Sequence, residues 1–161
     1  MLESCGGFLG NPLIDYKGEK MEKYQVTQWC HHFIREHVRE GDICIDATAG
    51  NGNDTLLLAE LVGEPGKVFA FDIQEQAVRA TKKRLEEHGF LERAEIICDS
   101  HTKMEEYVKG EVSCIVFNFG YLPGGDHNLA TKAKSSIQAI EQGLLLLKKK
   151  GMMSLCIYSG G

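Results

Sequence analysis

The sequence predicts an α/β fold in which helices cover both faces of a parallel β-sheet. Short apolar runs rich in strand-forming residues alternate with amphipathic segments of helical spacing. The runs lack the apolar–polar alternation of a half-exposed strand, which indicates strands that are buried on both faces. Small, polar or acidic residues follow four of the runs, at the positions where ligands bind in folds of this class.

Local signals define each predicted element. A helix is predicted over 21–39, because apolar residues between Val26 and Val38 recur at helical spacing before Gly41 interrupts the pattern. The helix over 53–63 has Asn53 or Asp54 near its start and a glycine after its end. The other predicted elements are strands over 43–48, 66–73, 93–100, 112–120 and 151–161, and helices over 76–89, 101–110 and 134–151.

Composition indicates one domain over 21–161, preceded by a glycine-rich, weakly patterned stretch over 1–20 that is predicted to be a flexible leader. The formal net charge is −5, which argues against a protein that holds nucleic acid by bulk charge alone. No apolar run approaches the roughly 20 residues that a membrane-spanning helix needs. The sequence therefore predicts no association with a membrane.

The cysteines are predicted to be reduced. Cys44, Cys114 and Cys156 lie in strongly apolar runs, which is typical of core thiols in a cytoplasmic protein. The run Cys30-His31-His32 is the one metal-like cluster in the sequence, but adjacent residues on a helix point in different directions. We therefore predict neither a disulfide nor a metal site.

A glycine-rich bend, DATAGNGNDT over 46–55, follows the first predicted strand. Asp46 ends that strand, and Gly50 and Gly52 allow a sharp turn and the close approach of a ligand to the backbone. Asp72 comes twenty residues after Gly52, at the end of the second strand. An acid at this position is placed to hold ribose hydroxyls, so the pattern predicts a cofactor that contains adenosine.

Two phosphate-containing cofactors fit the bend poorly. The dinucleotide pattern requires a third glycine where this chain has Thr55. A P-loop requires a lysine, and the chain has none between Asp42 and Lys67.

S-adenosylmethionine fits the bend better, because it carries two cationic groups and no phosphate. The carboxylates of Asp46 and Asp54 can complement the sulfonium and ammonium groups. The backbone N–H groups of the bend and the amides of Asn51 and Asn53 can meet the carboxylate of the cofactor. The sequence thus predicts S-adenosylmethionine as the cofactor.

Polar residues also follow the third and fourth strands. Asp99, Ser100 and His101 can reach the adenine side of the cofactor, although Ser100 equally fits the N-cap of the next helix. The amide carbonyl of Asn118 can accept a hydrogen bond from an attacking amine, and Tyr121 offers an aromatic face to a base. The alternative at the fourth strand is an ordinary Gly/Pro turn with a buried tyrosine.

The stretches 46–55, 71–74, 99–101 and 118–126, in this order and spacing, resemble class I S-adenosylmethionine-dependent methyltransferases. More narrowly, they resemble the YtqB-like group of rRNA methylases, from about Trp29 to the end of the chain. The resemblance implies a Rossmann-like methyltransferase sheet. It also implies N-methylation of 5-aminomethyl(-2-thio)uridine at the tRNA wobble position, with the anticodon region of tRNA as the partner.

The resemblance also implies roles for individual residues. Residues 118–123 would face the methyl acceptor. The cofactor contacts implied by the motifs are Asn51 and Asn53 at the methionine part, Asp72 and Gln74 at the ribose and adenine side, and Ser100 and His101 along the cofactor.

The chain departs from the family pattern in two places. Residues 6–20 are an unfamiliar extension, and five of the seven expected strands are readable, so the C-terminal strands are expected to be missing. An unpaired strand edge is then expected to favour association, with a homodimer as the candidate assembly.

An aliphatic amine must lose a proton before it attacks a methyl group. The predicted proton acceptor is Asp126 or water, since the Asn118 amide can only orient the amine. Lys132 and Lys134 follow this segment, and Lys148–Lys150 form a second basic run that can contact RNA phosphates or, alternatively, form the solvated end of a helix. Other acceptors (rRNA, a small molecule or a protein), a truncated cofactor-binding domain without turnover and an NAD-dependent reductase remain as alternatives.

Overall fold

The computed structural model describes residues 26–119 and 126–157, which form a five-stranded parallel sheet with helices on both faces. The strand order is β3-β2-β1-β4-β5. The predicted fold class is therefore confirmed. The helices are α1 (Val26–His37), α2 (Asn53–Val62), α3 (Glu75–His88), α4 (Met104–Tyr107) and α5 (Asp126–Leu146), and the strands are β1 (Ile43–Asp46), β2 (Lys67–Asp72), β3 (Ala94–Cys98), β4 (Val112–Phe119) and β5 (Leu147–Ile157).

The core has two layers, one on each face of the sheet. Successive side chains of a strand point to opposite faces, so Cys44 belongs to one layer and Ile45 to the other. The first layer packs the strands against α1, α2 and α3, for example through Ile34 and Leu85. The second layer packs them against α4 and α5. Burial of strand side chains on both faces explains why the strand runs lack polar alternation.

The predicted core thiols are buried. Cys44 and Cys114 are 0 % exposed and Cys156 is 4 % exposed. Burial, the largest effect on each thiol, raises the pKa of Cys44 to about 12 and that of Cys114 well above its ordinary value. The thiols of Cys44 and Cys114 are therefore protonated and unreactive at neutral pH.

The topology determines where a ligand can bind. The chain winds outward from β1 through β2 to β3, and β4 then pairs with the other side of β1. This reversal places a crevice at the carboxyl ends of β1 and β4, where open parallel sheets bind their ligands. Asp46 and Asn118 lie at these two strand ends.

The boundary between α5 and β5 differs from the prediction. Residues 148–150 were expected to continue a helix, but α5 ends at Leu146 and β5 begins at Leu147. Leu147 pairs with Val112 at the start of β4, and the register shifts before the next pair, Cys114 with Met152. Pairing with a distant strand therefore places residues 147–150, which were predicted to be helical, at the start of a strand.

This correction also moves the basic run Lys148–Lys150. The run lies at the amino-terminal end of β5, opposite the strand ends that form the crevice. Lys148 Nζ lies 3.2 Å from Asp42 Oδ1, just before β1. The run is therefore not a helix C-terminus, and its contact with RNA phosphates stays a prediction.

β5 is an edge strand of the sheet, and Leu155 and Ile157 on it are 38 % and 73 % exposed. The association of two copies through this edge stays a prediction. None of the helices in the described part of the chain has the length and apolar character to cross a membrane.

Candidate functional site

The glycine-rich bend rests on a buried carboxylate. Asp46 is 0 % exposed, and its two oxygens accept hydrogen bonds from the backbone N–H of Thr48 (3.0 Å) and the hydroxyl of Thr55 (2.6 Å). Burial, followed by the negative charge of Asp54, raises the pKa of Asp46 to about 7. The structure thus places Asp46 beneath the bend rather than in contact with a ligand above it, and its role is to join the two ends of the bend.

We expect Asp46 to make the protein less stable as the pH rises. Its folded-state pKa lies above the ordinary value of 3.8, so the folded state binds the proton more tightly and the free energy of unfolding falls between about pH 4 and pH 7. Asp46→Asn should remove this fall, which amounts to about 4 kcal/mol. Urea unfolding of both proteins across this pH range measures the difference, and parallel pH curves would contradict the assignment.

A second set of hydrogen bonds holds the outer part of the bend. Asp72 Oδ2 accepts from the backbone N–H of Gly50 (3.0 Å), and its Oδ1 accepts from that of Gln74 (2.9 Å). The hydroxyl of Thr81 and the Nε of Arg84, both on α3, donate to the Gly50 and Asn51 carbonyls at 3.2 and 2.7 Å. The bend is therefore held between β2 and α3. The carboxylate oxygens of Asp72 keep lone pairs for further donors.

Gly52 allows the close approach of α3 to the bend. Its φ is +78°, and a Cβ on it would lie 2.9 Å from the Cα of Thr81. Gly89 has a similar φ of +74°, but a Cβ there would meet nothing within 4 Å. The two glycines share one backbone conformation and differ in the space around them.

We expect Gly52→Ala to destabilise the protein more than Gly89→Ala. Both substitutions place Cβ in the left-handed region, at a cost of about 1–2 kcal/mol. The Gly52 substitution adds a steric clash with α3 that costs about 1–3 kcal/mol more. The difference between the two losses of unfolding free energy, measured by denaturant unfolding, gives the cost of the clash. Equal losses would show that α3 moves aside at no cost.

A cavity of about 490 Å³ opens between the bend and α1. This volume is in the range of small-molecule sites. Five of the site residues predicted from the sequence line it: Gly50, Asn51, Asn53, Asp54 and Asn118.

Asp54 joins three elements inside this cavity. It lies in the first turn of α2, where a carboxylate is favoured by the helix dipole. Its Oδ1 lies 2.6 Å from His31 Nε2 on α1, and its Oδ2 accepts from Asn118 Nδ2 at 3.4 Å. The backbone N–H of Asn118 donates to Thr48 Oγ1 at 2.7 Å. Since only the NH₂ of an amide can donate to a carboxylate, the Asn118 carbonyl oxygen is left for another donor.

Residues 99–101 form a separate network at the end of β3. Asp99 accepts from the Tyr107 hydroxyl (2.8 Å), Lys103 Nζ and the backbone N–H of Ser100, and these contacts, the tyrosine first, lower the pKa of Asp99 to about 2. Ser100 accepts from Thr102 N–H, the N-cap that the sequence offered as an alternative.

His101 links this network to the bend. Its Nδ1 donates to the Ala47 carbonyl at 3.0 Å, which leaves Nε2 as the acceptor of a neutral ring. Burial is the main cause of its lowered pKa, so the ring stays neutral near pH 7. The ring contacts Phe117 and Phe119 edge-on.

The sequence interpretation missed one side of the cavity. Thr27, His31 and Arg35 line it from α1. Their spacing of four residues places them on one helical face, beside the buried Ile34 and Val38, so a polar stripe was present in the sequence. Among the described residues, no cluster of His, Cys, Asp or Glu is placed to hold a metal ion.

Two predicted catalytic residues cannot be located by contact. Tyr121 lies outside the described residues, and Asp126 begins α5 but its side chain is not among those described. Their roles stay predictions.

Known proteins share the sequence pattern and the fold of this chain. The profile of a family described as "Putative rRNA methylase" matches residues 68–161. The chloroplastic tRNA (mnm(5)s(2)U34)-methyltransferase of Arabidopsis thaliana is 33 % identical over 157 residues, which are 90 % of this chain and 57 % of that protein. The chain spans less than two thirds of the length of the curated relatives that it matches.

Two solved structures share the fold and much of the sequence. A Clostridium thermocellum protein, described in the same words as the family, superposes with a TM-score of 0.80 at 42 % identity, over 88 % of this chain and 76 % of that one. The Streptococcus mutans protein SMU.1697c, solved in complex with SAH, superposes with a TM-score of 0.71 at 33 % identity, over 82 % and 72 % of the two chains.

Proposed function

The chain belongs to the family described as "Putative rRNA methylase", and from this premise we propose that it is an S-adenosylmethionine-dependent methyltransferase that acts on RNA. The observation that carries the proposal is the contact between Asp54 and Asn118. It brings a carboxylate suited to a cationic methyl donor within 3.4 Å of an amide suited to an amine acceptor. Both groups line one cavity beside the glycine-rich bend.

The residues present fit the cofactor. Asp54 is the carboxylate that would complement its cationic groups, and Asn51 and Asn53 would meet its carboxylate. Arg35, the one Lys or Arg among the described lining residues, is half-exposed and lies 3.7 Å from Glu60. A cofactor with phosphates would find no free cation in this lining, which supports a phosphate-free one. SMU.1697c binds SAH, the form of this cofactor that has lost its methyl group.

The ribose and adenine would extend from the cavity past Asp72. This carboxylate already organises Gly50 and Gln74 and can accept ribose hydroxyls with its remaining lone pairs. Ile73, the next residue, is 73 % exposed and offers an apolar surface to the base. Ser100 and His101 would lie along the same side, while Asp99 is held by its own network.

S-adenosylmethionine supplies an activated methyl group on a sulfonium, so the protein mainly has to position the acceptor. The Asn118 carbonyl oxygen accepts a hydrogen bond from the acceptor amine and directs its lone pair toward the methyl group. Asp126 or water takes the proton of the ammonium form, and Tyr121 stacks on the base. These last roles follow from the motif rather than from described contacts.

The acceptor that we propose is the amino group of 5-aminomethyl(-2-thio)uridine at the wobble position of tRNA. The Arabidopsis relative, which is 33 % identical to this chain, is named as a methyltransferase for a modified uridine at position 34 of tRNA. The exposed Lys134 on α5 is a described cation that can contact RNA phosphates. The basic run Lys148–Lys150 lies at the opposite end of the strands, so any RNA phosphate that it contacts would lie away from the crevice.

The test uses the full chain with S-adenosylmethionine and tRNA that carries unmethylated 5-aminomethyluridine. We expect mass spectrometry of the nucleosides to show one added methyl group on this uridine. The matched control is tRNA that lacks the aminomethyl group, which should stay unchanged. Methylation of both tRNAs, or of rRNA alone, would contradict the proposed acceptor while preserving the activity.

A second candidate is methyl transfer to a small molecule or a protein. One observation favours it, namely that the densest basic run faces away from the crevice. Binding of S-adenosylmethionine in calorimetry, with no methyl transfer to any RNA, would favour this candidate or a binding domain without turnover. Binding of NADH instead, seen as quenching of its fluorescence, would contradict both proposals.

A further inference from the structure

Among the described residues, His31 makes a short contact with the proposed reaction centre and has not yet been given a role. Its Nε2 lies 2.6 Å from Asp54 Oδ1, and its side chain is 29 % exposed toward the cavity that Asn118 also lines. We propose that His31 is a positioning residue for methyl transfer: it holds Asp54 and, through it, orients the Asn118 amide. The inference rests on the proposed function.

The chain of contacts runs through a single carboxylate. Asp54 uses Oδ1 for His31 and Oδ2 for Asn118, so each partner limits rotation of the carboxylate on behalf of the other. The 2.6 Å contact is shorter than the 3.4 Å contact, and the contact with His31 is therefore the stronger constraint on the carboxylate. Without it, the carboxylate would keep only the longer contact. The oxygen that accepts from the Asn118 NH₂ would then no longer be held in a fixed position.

The backbone holds both ends of this chain of contacts. α1 carries His31 and is anchored in the core by Ile34, which is 0 % exposed. The main chain of Asn118 is anchored to Thr48 Oγ1 in the bend. Among the described residues, the two side-chain contacts of Asp54 therefore fix the direction in which the Asn118 carbonyl oxygen points.

The contact also defines the state of the imidazole. A carboxylate accepts and cannot donate, so His31 Nε2 carries a hydrogen atom whether the ring is neutral or charged. Positioning therefore needs one N–H donor at this place and no proton transfer. A glutamine amide can supply such a donor, and a leucine of similar size cannot.

The neighbouring histidine is a natural control. His32 lies on the outer face of α1, where its Nε2 is 3.6 Å from Glu36 and its side chain is 53 % exposed. A substitution there changes the same residue type on the same helix without touching Asp54.

The kinetic test compares His31→Leu, His31→Gln and His32→Leu with the wild-type chain, in the tRNA assay above. We expect His31→Leu to lower kcat by about 10- to 100-fold with KM for tRNA nearly unchanged, and to raise Kd for S-adenosylmethionine by a smaller factor, because Asp54 also faces the cofactor. His31→Gln should recover most of this loss, and His32→Leu should show none. Equal losses of kcat in His31→Leu and His31→Gln would overturn positioning in favour of proton transfer. An unchanged kcat in both variants would show that His31 has no role in the reaction.

The coupling test asks whether His31 acts through Asn118. In an Asn118→Ala background, His31→Leu should lower kcat by less than about twofold, because the group that it orients is gone. A loss that multiplies with that of Asn118→Ala would overturn the mechanism.

A third measurement does not depend on catalysis. In protein labelled with ¹⁵N-asparagine, the side-chain NH₂ signal of Asn118, identified by its absence in Asn118→Ala, should shift in His31→Leu and stay in place in His32→Leu. An unshifted signal overturns the inference even where the wild-type chain methylates tRNA. A shifted signal without methylation of any tRNA supports the contact chain and counts against the proposed function instead.

Discussion

Asp72→Ala is expected to weaken the binding of S-adenosylmethionine by about 100-fold, as measured by calorimetry. Hydrogen bonds to a charged group are worth about 1.5–3 kcal/mol each, and the substitution removes the acceptor of the ribose hydroxyls. It also removes the Oδ2 atom that accepts the hydrogen bond of the Gly50 N–H at 3.0 Å, a contact that holds the bend. The loss therefore combines a missing contact with a less ordered site.

The control for this experiment is Glu75→Ala. Glu75 lies three residues further along, is 77 % exposed and contacts Arg79 within α3, so its removal changes the net charge equally without touching the bend. We expect its affinity for the cofactor to stay within about twofold of wild type, since an exposed pair contributes little. Thermal unfolding of both variants checks that the fold persists. Wild-type affinity in Asp72→Ala would remove the ribose assignment.

Asn118→Ala is expected to lower kcat by about 100-fold while the affinity for S-adenosylmethionine stays close to wild type. The Asn118 carbonyl oxygen is left free by the contact of its NH₂ with Asp54, and it is the group proposed to orient the amine. Misplacement of a reacting group by about 1 Å can cost 10²-fold in rate. Single-turnover kinetics with saturating cofactor measure the methyl-transfer step itself.

Asn53→Ala provides the complementary variant. Asn53 lines the same cavity from the start of α2 and is predicted to hold the methionine part of the cofactor. Its loss should weaken cofactor binding and leave the rate at saturation nearly intact. The reverse pattern, with Asn118→Ala weakening cofactor binding and Asn53→Ala lowering the rate, would exchange the two assignments.

The local signals of the sequence predicted the sheet and the bend correctly. Each strand except β5 begins within one residue of its predicted start, because continuous apolar runs indicate strands buried on both faces. The bend was recognisable because Gly50 and Gly52 adopt φ values of +54° and +78°, which other residues rarely do.

The boundary of β5 and the place of Asp46 were not predictable in the same way. The run from Leu144 to Leu147 suits a helix and a strand equally well, and pairing of Leu147 with Val112 decides between them. Asp46 was interpreted as a ligand contact, since the sequence shows an acid at a strand end but not that Thr48 and Thr55 occupy its oxygens.

The sequence by itself determined the order of the strands along the chain, the glycine-rich bend and the spacing from the bend to Asp72. These features depend on side chains and backbone angles within short segments. Only the tertiary structure brought together His31, Asp54 and Asn118, which are 23 and 64 residues apart along the chain. The physical reason is that a hydrogen bond depends on the distance and direction between two groups in space. The packing of α1 and β4 against the same bend determines the distance and direction from Asp54 to each partner.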